Sequence, residues 1–267
     1  MNFKSKLFIG CVHLKATPGS PLYSGNIEEI YSCALSEAEI LKRNGFDALI
    51  IENFRDRPHT SKRVSTVTAA TMAAIARDIK NKTNLPIGIS VLRNDARSAL
   101  EIATAVRAEF IRVNVHVGNA LSAQGILQGD SYNTLRVRTN LNSKVDIYAD
   151  AMVKHARSLT YEKLEDEIYD LNGICDGIII SGKLTGMQAE KKDIILAKKK
   201  SKIPIIIGSG VTEDNIEDLY EISDGFIIGS CIKKNGIADN IVDEKRVKTF
   251  MKKVNYLRSK YNHEKIR

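Results

Sequence analysis

The 267-residue chain has no tryptophan, and aromatic residues make up only 6% of it. Binders of single-stranded nucleic acid stack bases on aromatic side chains set among basic patches, and no such interleaving is present. The lysines gather instead in short clusters at 191–192, 198–202, 233–234 and 252–253, mostly in segments of helical pattern, where they read as solvated outer faces. Nucleic acid is therefore not an expected partner. The formal charge of +8 favours small anions or an acidic surface.

Long apolar runs are also missing. None approaches the roughly 18 residues of a membrane span. The apolar stretch at 8–14 is short and gives way at once to Lys15-Ala16-Thr17-Pro18, unlike a signal peptide. The expectation is a cytoplasmic protein with no integral membrane segment. The four cysteines, Cys11, Cys33, Cys175 and Cys231, show no CxxC spacing and read as reduced thiols. If the sheet closes on itself, Cys11 and Cys231 approach each other, as a redox pair or as two small buried side chains. No linker rich in Pro, Gly or Ser divides the chain, so residues 1–267 are expected to form one domain. No HxH or HExxH spacing occurs. The sequence requires no cofactor; a divalent metal stays open at His13, His116 or His155 together with a carboxylate.

Eight short apolar runs are present, at 7–13, 46–52, 85–92, 109–116, 144–150, 176–181, 203–208 and 224–230. Amphipathic segments at 27–45, 67–83, 96–108, 161–173, 213–222 and 243–261 lie between and after them. Strands rich in Ile and Val, each followed by a helix, indicate a parallel sheet with helices outside it. Eight such units predict an α/β fold of the (β/α)8 TIM-barrel type. An open doubly wound sheet is the alternative, weakened by the lack of GxGxxG after the first run.

A barrel constrains strand faces. In the run at 109–116, Ile111, Val113 and Val115 alternate with Arg112, Asn114 and His116, so the polar set is expected inside. By the same alternation Asp150 faces inward at the C-terminal end of its strand, where barrel chemistry is found. Glu52 and Asn53 close the second run, and Asn94 and Asp95 the third. Asp150 and Glu52 are candidate acid and base across the mouth, with ion pairing to Arg112 or Lys154 as the structural alternative. His116 is a candidate acid/base or metal ligand. Lys154 is suited to an anion contact or a Schiff base. Asn53, Asn94, Arg112 and Asn114 are candidate substrate contacts, while Asp95 suits the N-cap of the helix after it.

The seventh and eighth runs both break into small residues, Gly208-Ser209-Gly210 and Gly229-Ser230. Small residues there let backbone amides approach a ligand, and a following helix N-terminus favours an anion. These five residues are the expected phosphate site, with Thr212 as cap of the next helix. Ser181-Gly182 and Thr185-Gly186 form a third glycine-bearing loop able to reach the same ligand. The segment 117–133 is expected to be a mouth lid or an insertion supporting a homo-oligomer.

Several stretches carry a resemblance: GCVHLKATPGSPLY at 10–23, DALIIENFRDRP at 47–58, VLRNDARSAL at 91–100, FIRVNVHVG at 110–118, QGILQGDSYNTLRVR at 124–138, ADAMVKHA at 149–156, SGKLTG at 181–186, GSGVTEDN at 208–215 and GSCIKKNG at 229–236. Over nearly its whole length the chain resembles the BtpA/SgcQ family of TIM-barrel proteins. It departs from the family pattern at Lys15-Ala16 and at His59-Thr60. One branch of that family is associated with photosystem I biogenesis, and another lies near sugar-utilisation genes. Two expectations follow. One is an enzyme isomerising or hydrolysing a small phosphorylated sugar or nucleotide-like ligand. The other is a non-catalytic assembly or stability factor for a membrane complex.

Overall fold

Each of the eight apolar runs forms a strand, and apart from Asp146 every residue of these strands is buried. The computed structural model describes residues 1, 3, 5–182 and 186–264. The barrel strands are β1 (Leu7–His13), β2 (Ala48–Glu52), β3 (Ile87–Ser90), β4 (Phe110–Val113), β7 (Asp146–Ala151), β9 (Gly177–Ile180), β10 (Ile205–Ile207) and β11 (Gly225–Ile228). They pair in that order, all parallel, and β11 closes on β1. Burial on both faces explains why the runs are almost continuously apolar. The chain is a single-domain TIM barrel.

Helices surround it: α1 (Ile27–Arg43), α2 (Thr66–Thr83), α3 (Ala96–Val106), α4 (Ser131–Asn140), α5 (Leu164–Leu171), α6 (Lys191–Lys200), α7 (Ile216–Tyr220) and α8 (Glu244–Glu264). Asn26, Ser65 and Asp95 cap the first three by accepting from Glu29, Thr68 and Ser98 backbone amides. Each such cap satisfies a donor that the helix leaves open and contributes about 1 kcal/mol. The outer core lies between sheet and helices. The inner core is small: Ile9, Cys11, Ala48, Ile50, Phe110, Tyr148, Ile179, Ile206 and Ile227, with Phe3 against it. Gly88 admits the Phe110 ring, which stands 2.1 Å from where a Cβ would be. Above this plug, inward positions near the strand C-termini become polar.

Two expectations change, and a third, for 117–133, gains a defined form. β4 ends at Val113, not at residue 116, so the inside–outside alternation stops before His116. The segment 117–133 folds as a hairpin of β5 (Asn119–Ser122) and β6 (Gly125–Gln128), followed by the first turn of α4. A third strand, β8 (Ala156–Ser158), joins β5 from the far side. Ala120 and Leu127 bury the sheet's inner face against Val115 and Val153. Finally, Asn215, not Thr212, stands at the N-cap of α7, and its side chain accepts from the Thr212 amide.

Candidate functional site

Arg112 organises the polar layer above the plug. Its Nε and Nη2 donate to the two Asp150 oxygens at 2.9 and 2.8 Å, and Nη1 donates to Glu52 Oε1 at 3.3 Å. Asn114 Nδ2 donates to Asp150 Oδ2 at 2.8 Å, and Ser181 Oγ to Oδ1 at 3.3 Å. Asp150 is 0% exposed. Burial alone would raise its pKa, but the Arg112 charge and hydrogen bonds outweigh that and hold it below the ordinary value. Burial opposes the Arg112 charge too, yet Asp150 and Glu52 raise its pKa above the usual range. Asp150 is thus a saturated anion behind the wall of the cavity. The expected acid/base assignment for it is corrected to one of holding Arg112 and Asn114.

Glu52 faces the open space. Opposite it, His13 Nδ1 lies 3.0 Å from the Ala238 carbonyl, and the ring stacks on Phe54 at 4.2 Å. A carbonyl only accepts, so Nδ1 carries the proton and Nε2 is left as an acceptor. Nε2 stands 3.7 Å from Glu52 Oε2. Burial and then the Lys233 charge push the imidazole well below its normal pKa, so it stays neutral.

These groups border a cavity of about 520 Å³, within the usual size of small-molecule sites. Glu52, Arg112, Asn114 and Lys154 line it, with Phe54, His59 and Arg93, the 236–239 segment, and Ala123-Gln124 from the tip of the β5–β6 hairpin. An inner recess continues from it past His13 to Gly208-Ser209-Gly210 and Gly229-Ser230. No described residue accepts from the backbone amides of Ser209, Gly210, Gly229 or Ser230. Asn114 Oδ1 and Ser90 Oγ are buried without a hydrogen-bond partner. The cations Arg93, Arg112 and Lys154 outnumber the bordering carboxylate of Glu52, since Arg57 and Asp239 neutralise each other.

Other expected site residues stitch loops together. Asn53 accepts from the Leu92 amide at 2.7 Å and donates to Asp56 at 3.2 Å. Asn94 accepts from the Val115 amide and donates to the carbonyls of Val115 and Gln128. Both are consumed, so neither is a substrate contact. His116 Nε2 lies 3.1 Å from the Ile174 carbonyl and the ring does not border the cavity, which removes it from the catalytic set. The Ser209 hydroxyl accepts from Gly182 N at 2.8 Å and donates to Met187 O at 3.1 Å. Gly210, at φ +69°, lets the Gln188 backbone come within 2.2 Å of the missing Cβ. Ser181 and Gly182 thus support the site without lining it. Thr185 lies outside the described residues; Gly186 borders both spaces. All four cysteines are unpaired, and burial with the Glu52 charge raises Cys11 to about 12, so it remains a thiol. Among the described residues, no group of three or more His, Cys, Asp or Glu side chains is arranged to hold a metal.

From the sequence His13 is a candidate only as a metal ligand, and Phe54, His59 and Ala238 are not singled out as site residues. His13 ends an inward-facing strand, which was the available signal. The others sit on loops without periodicity.

Glu167, on α5, accepts from the Met152 amide at 2.8 Å just below Lys154. Burial raises its pKa to about 7 from 4.5. A folded pKa above the unfolded one means that the folded chain binds more protons between those values. This contribution to stability is full below about 4.5 and is lost as pH rises through about 7. Urea unfolding from pH 5 to 8 is expected to show the wild type losing on the order of 3 kcal/mol more than Glu167→Gln. Parallel curves would contradict the assignment.

Comparison with known proteins agrees with this architecture. An orotidine 5′-phosphate decarboxylase of Pyrococcus horikoshii superposes with a TM-score of 0.60 at 14% identity, over 93% of this chain and 99% of that one. An N-(5′-phosphoribosyl)anthranilate isomerase of Pyrococcus furiosus gives 0.58, also at 14% identity, over 94% and 100%. At such identity these likenesses establish the fold alone. A protein of Methanocaldococcus jannaschii is 43% identical over 96% of this chain and 98% of its own length. The photosystem I biogenesis protein BtpA of Synechocystis is 41% identical over 91% of this chain and 86% of its own. The BtpA family model matches residues 4–256, and the chain belongs to the BtpA family.

Proposed function

We propose that the barrel mouth binds a small phosphorylated sugar or nucleotide-like ligand and catalyses proton transfer at a sugar carbon, in isomerisation or hydrolysis. The observation that carries this reading is the set of amides at Ser209, Gly210, Gly229 and Ser230 that no described residue engages, around a recess that Arg112 and Lys154 also border. Amides on adjacent loops, with cations beside them, suit a phosphate dianion. Glu52 is the carboxylate placed for acid/base work, and neutral His13 offers Nε2 beside it. Arg112, Asn114 and Lys154 hold the sugar portion. The structural neighbours are named for phosphorylated ligands, which agrees with this reading.

The test is a thermal-shift screen against phosphosugars and nucleotides. A ligand selective for the folded chain at a hundredfold excess over its Kd stabilises by about 2.7 kcal/mol. Ser230→Asp is the informative variant, because the Ser230 hydroxyl makes no hydrogen bond among the described residues. The shift is expected to vanish in that variant. A shift that survives it, or no shift from any phosphorylated compound, would contradict the reading.

A second reading is that of a scaffold assisting a membrane complex. It draws on the name of the Synechocystis relative and on Leu121 and Ile126, an exposed cross-strand pair on the hairpin. Among the described residues no helix is long and apolar enough to cross a membrane. If the mouth binds nothing and a Leu121→Ser/Ile126→Ser variant loses a defined partner, this reading prevails.

A further inference from the structure

Lys154 is a mouth cation that reaches no carboxylate among the described residues, although Glu52 and Asp150 act on its charge through space. It stands three residues past β7 and borders both the cavity and the inner recess. Among the described residues its ammonium makes no hydrogen bond or ion pair; only its carbonyl is engaged. The neighbouring cations are committed. Arg112 holds Asp150 and Glu52, Arg57 holds Asp239, and Arg55 spans the carbonyls of His13, Asp239 and Asn240. A lysine retained only to balance charge would be expected to reach a carboxylate.

The backbone around Lys154 is held on both sides. Arg93 Nη2 donates to its carbonyl at 2.5 Å. Met152, at φ +48°, is tied to Glu167, and Val153 is buried under the hairpin. His155 follows at φ +58°. This tight anchoring suits a group that must meet a ligand atom at a fixed position. Burial, and then the charge of Arg112, both disfavour the ammonium and lower its pKa. More of the nucleophilic free amine is therefore present than in an exposed lysine.

We infer that Lys154 forms an imine with the carbonyl carbon of an aldose or ketose phosphate. The inference rests on the proposed phosphate reading for the ligand's anionic end; the covalent step needs only a carbonyl. The step balances with Glu52 as carrier. The Glu52 carboxylate takes one proton from the ammonium. The freed Nζ lone pair attacks the carbonyl carbon, a C–N bond forms, and the C=O π pair moves onto oxygen, which takes a proton from the nitrogen. Glu52 then returns its proton to that hydroxyl, the C–O bond breaks, water leaves, and the nitrogen lone pair closes the C=N bond. Ammonium and carbonyl become iminium and water, and Glu52 ends as it began. The iminium acidifies the adjacent C–H bond, which points to isomerisation over hydrolysis.

The experiment is borohydride trapping on the full chain, followed by peptide mapping. The probes are dihydroxyacetone phosphate and ribose 5-phosphate, each beside its unphosphorylated parent. Reduction of an imine adds the probe's mass less one oxygen atom. Lys154 is expected to carry about tenfold more label than the lysines of the outer helices, because its amine is held beside the cavity and burial disfavours its protonated form. Lys154→Arg should lose that label; the wild-type map decides the matter even if this variant folds poorly. Label from the phosphorylated probes alone supports both readings. Equal label from both kinds supports the imine and overturns the phosphate site. A melting-temperature shift with phosphorylated probes, but no enrichment at Lys154, overturns the imine and leaves the phosphate site standing. Neither shift nor enrichment overturns both.

Discussion

Arg112→Leu is expected to destabilise the fold by about 3–5 kcal/mol, the cost of stranding one member of a buried ion pair. The reason is Asp150. It is 0% exposed, and Arg112 supplies two of its hydrogen bonds and its nearest counter-charge. Asn114 and Ser181 would remain, but neither carries charge. The loss also depends on pH. In the wild type the folded pKa of Asp150 is lowered, so its contribution is present above the unfolded value of 3.8 and lost as pH falls below it. Without Arg112, burial raises the folded pKa instead, and the variant loses stability as pH rises. The gap between the two proteins should therefore widen from pH 5 to pH 8. Adding Asp150→Asn removes the stranded charge and should restore part of the loss. Urea unfolding of the three proteins at both pH values checks this. An equal deficit at both, or no recovery in the double variant, would show that Asp150 is not the group being paired.

Glu52→Gln is expected to lower turnover by about 10²–10⁴-fold, the range for losing a general acid/base. The fold should survive, since the amide oxygen can still accept from Arg112 Nη1 at the 3.3 Å position. Ligand-induced stabilisation in the thermal-shift screen should also survive, because the amides proposed to bind phosphate lie on the loops after β10 and β11. The pair of readouts separates chemistry from binding. Full turnover in the Glu52→Gln variant would remove the acid/base role. Loss of ligand stabilisation together with turnover would make Glu52 a binding residue.

The two carboxylates looked equivalent in sequence. Both end inward-facing strands, and both were expected at the mouth. Their difference comes from what surrounds them. Asp150 has its hydrogen bonds filled from β4, the residue after it and the loop after β9, whereas among the described residues Glu52 Oε2 makes no hydrogen bond and has His13 Nε2 at 3.7 Å. The asparagines divide in the same way. Asn53 is filled by Leu92, 39 residues away, and Asn94 by Val115 and Gln128. Asn114 keeps a buried oxygen open. No residue type or spacing distinguishes these three.

By itself, the sequence determined the barrel, its eight strands and the inward position of Arg112 on β4. Those features follow from period-two alternation and from Ile- and Val-rich runs buried on both faces, which are local properties of the chain. It also marked the small residues after β10 and β11. Only the tertiary structure decided which polar groups stay open to a ligand. A buried polar atom is defined by its partner, and here the partners arrive from distant segments: Ala238 reaches His13 across 225 positions of chain. His116 was misplaced for a related reason. Alternation holds only while the strand lasts, and pairing with β7 ends at Val113.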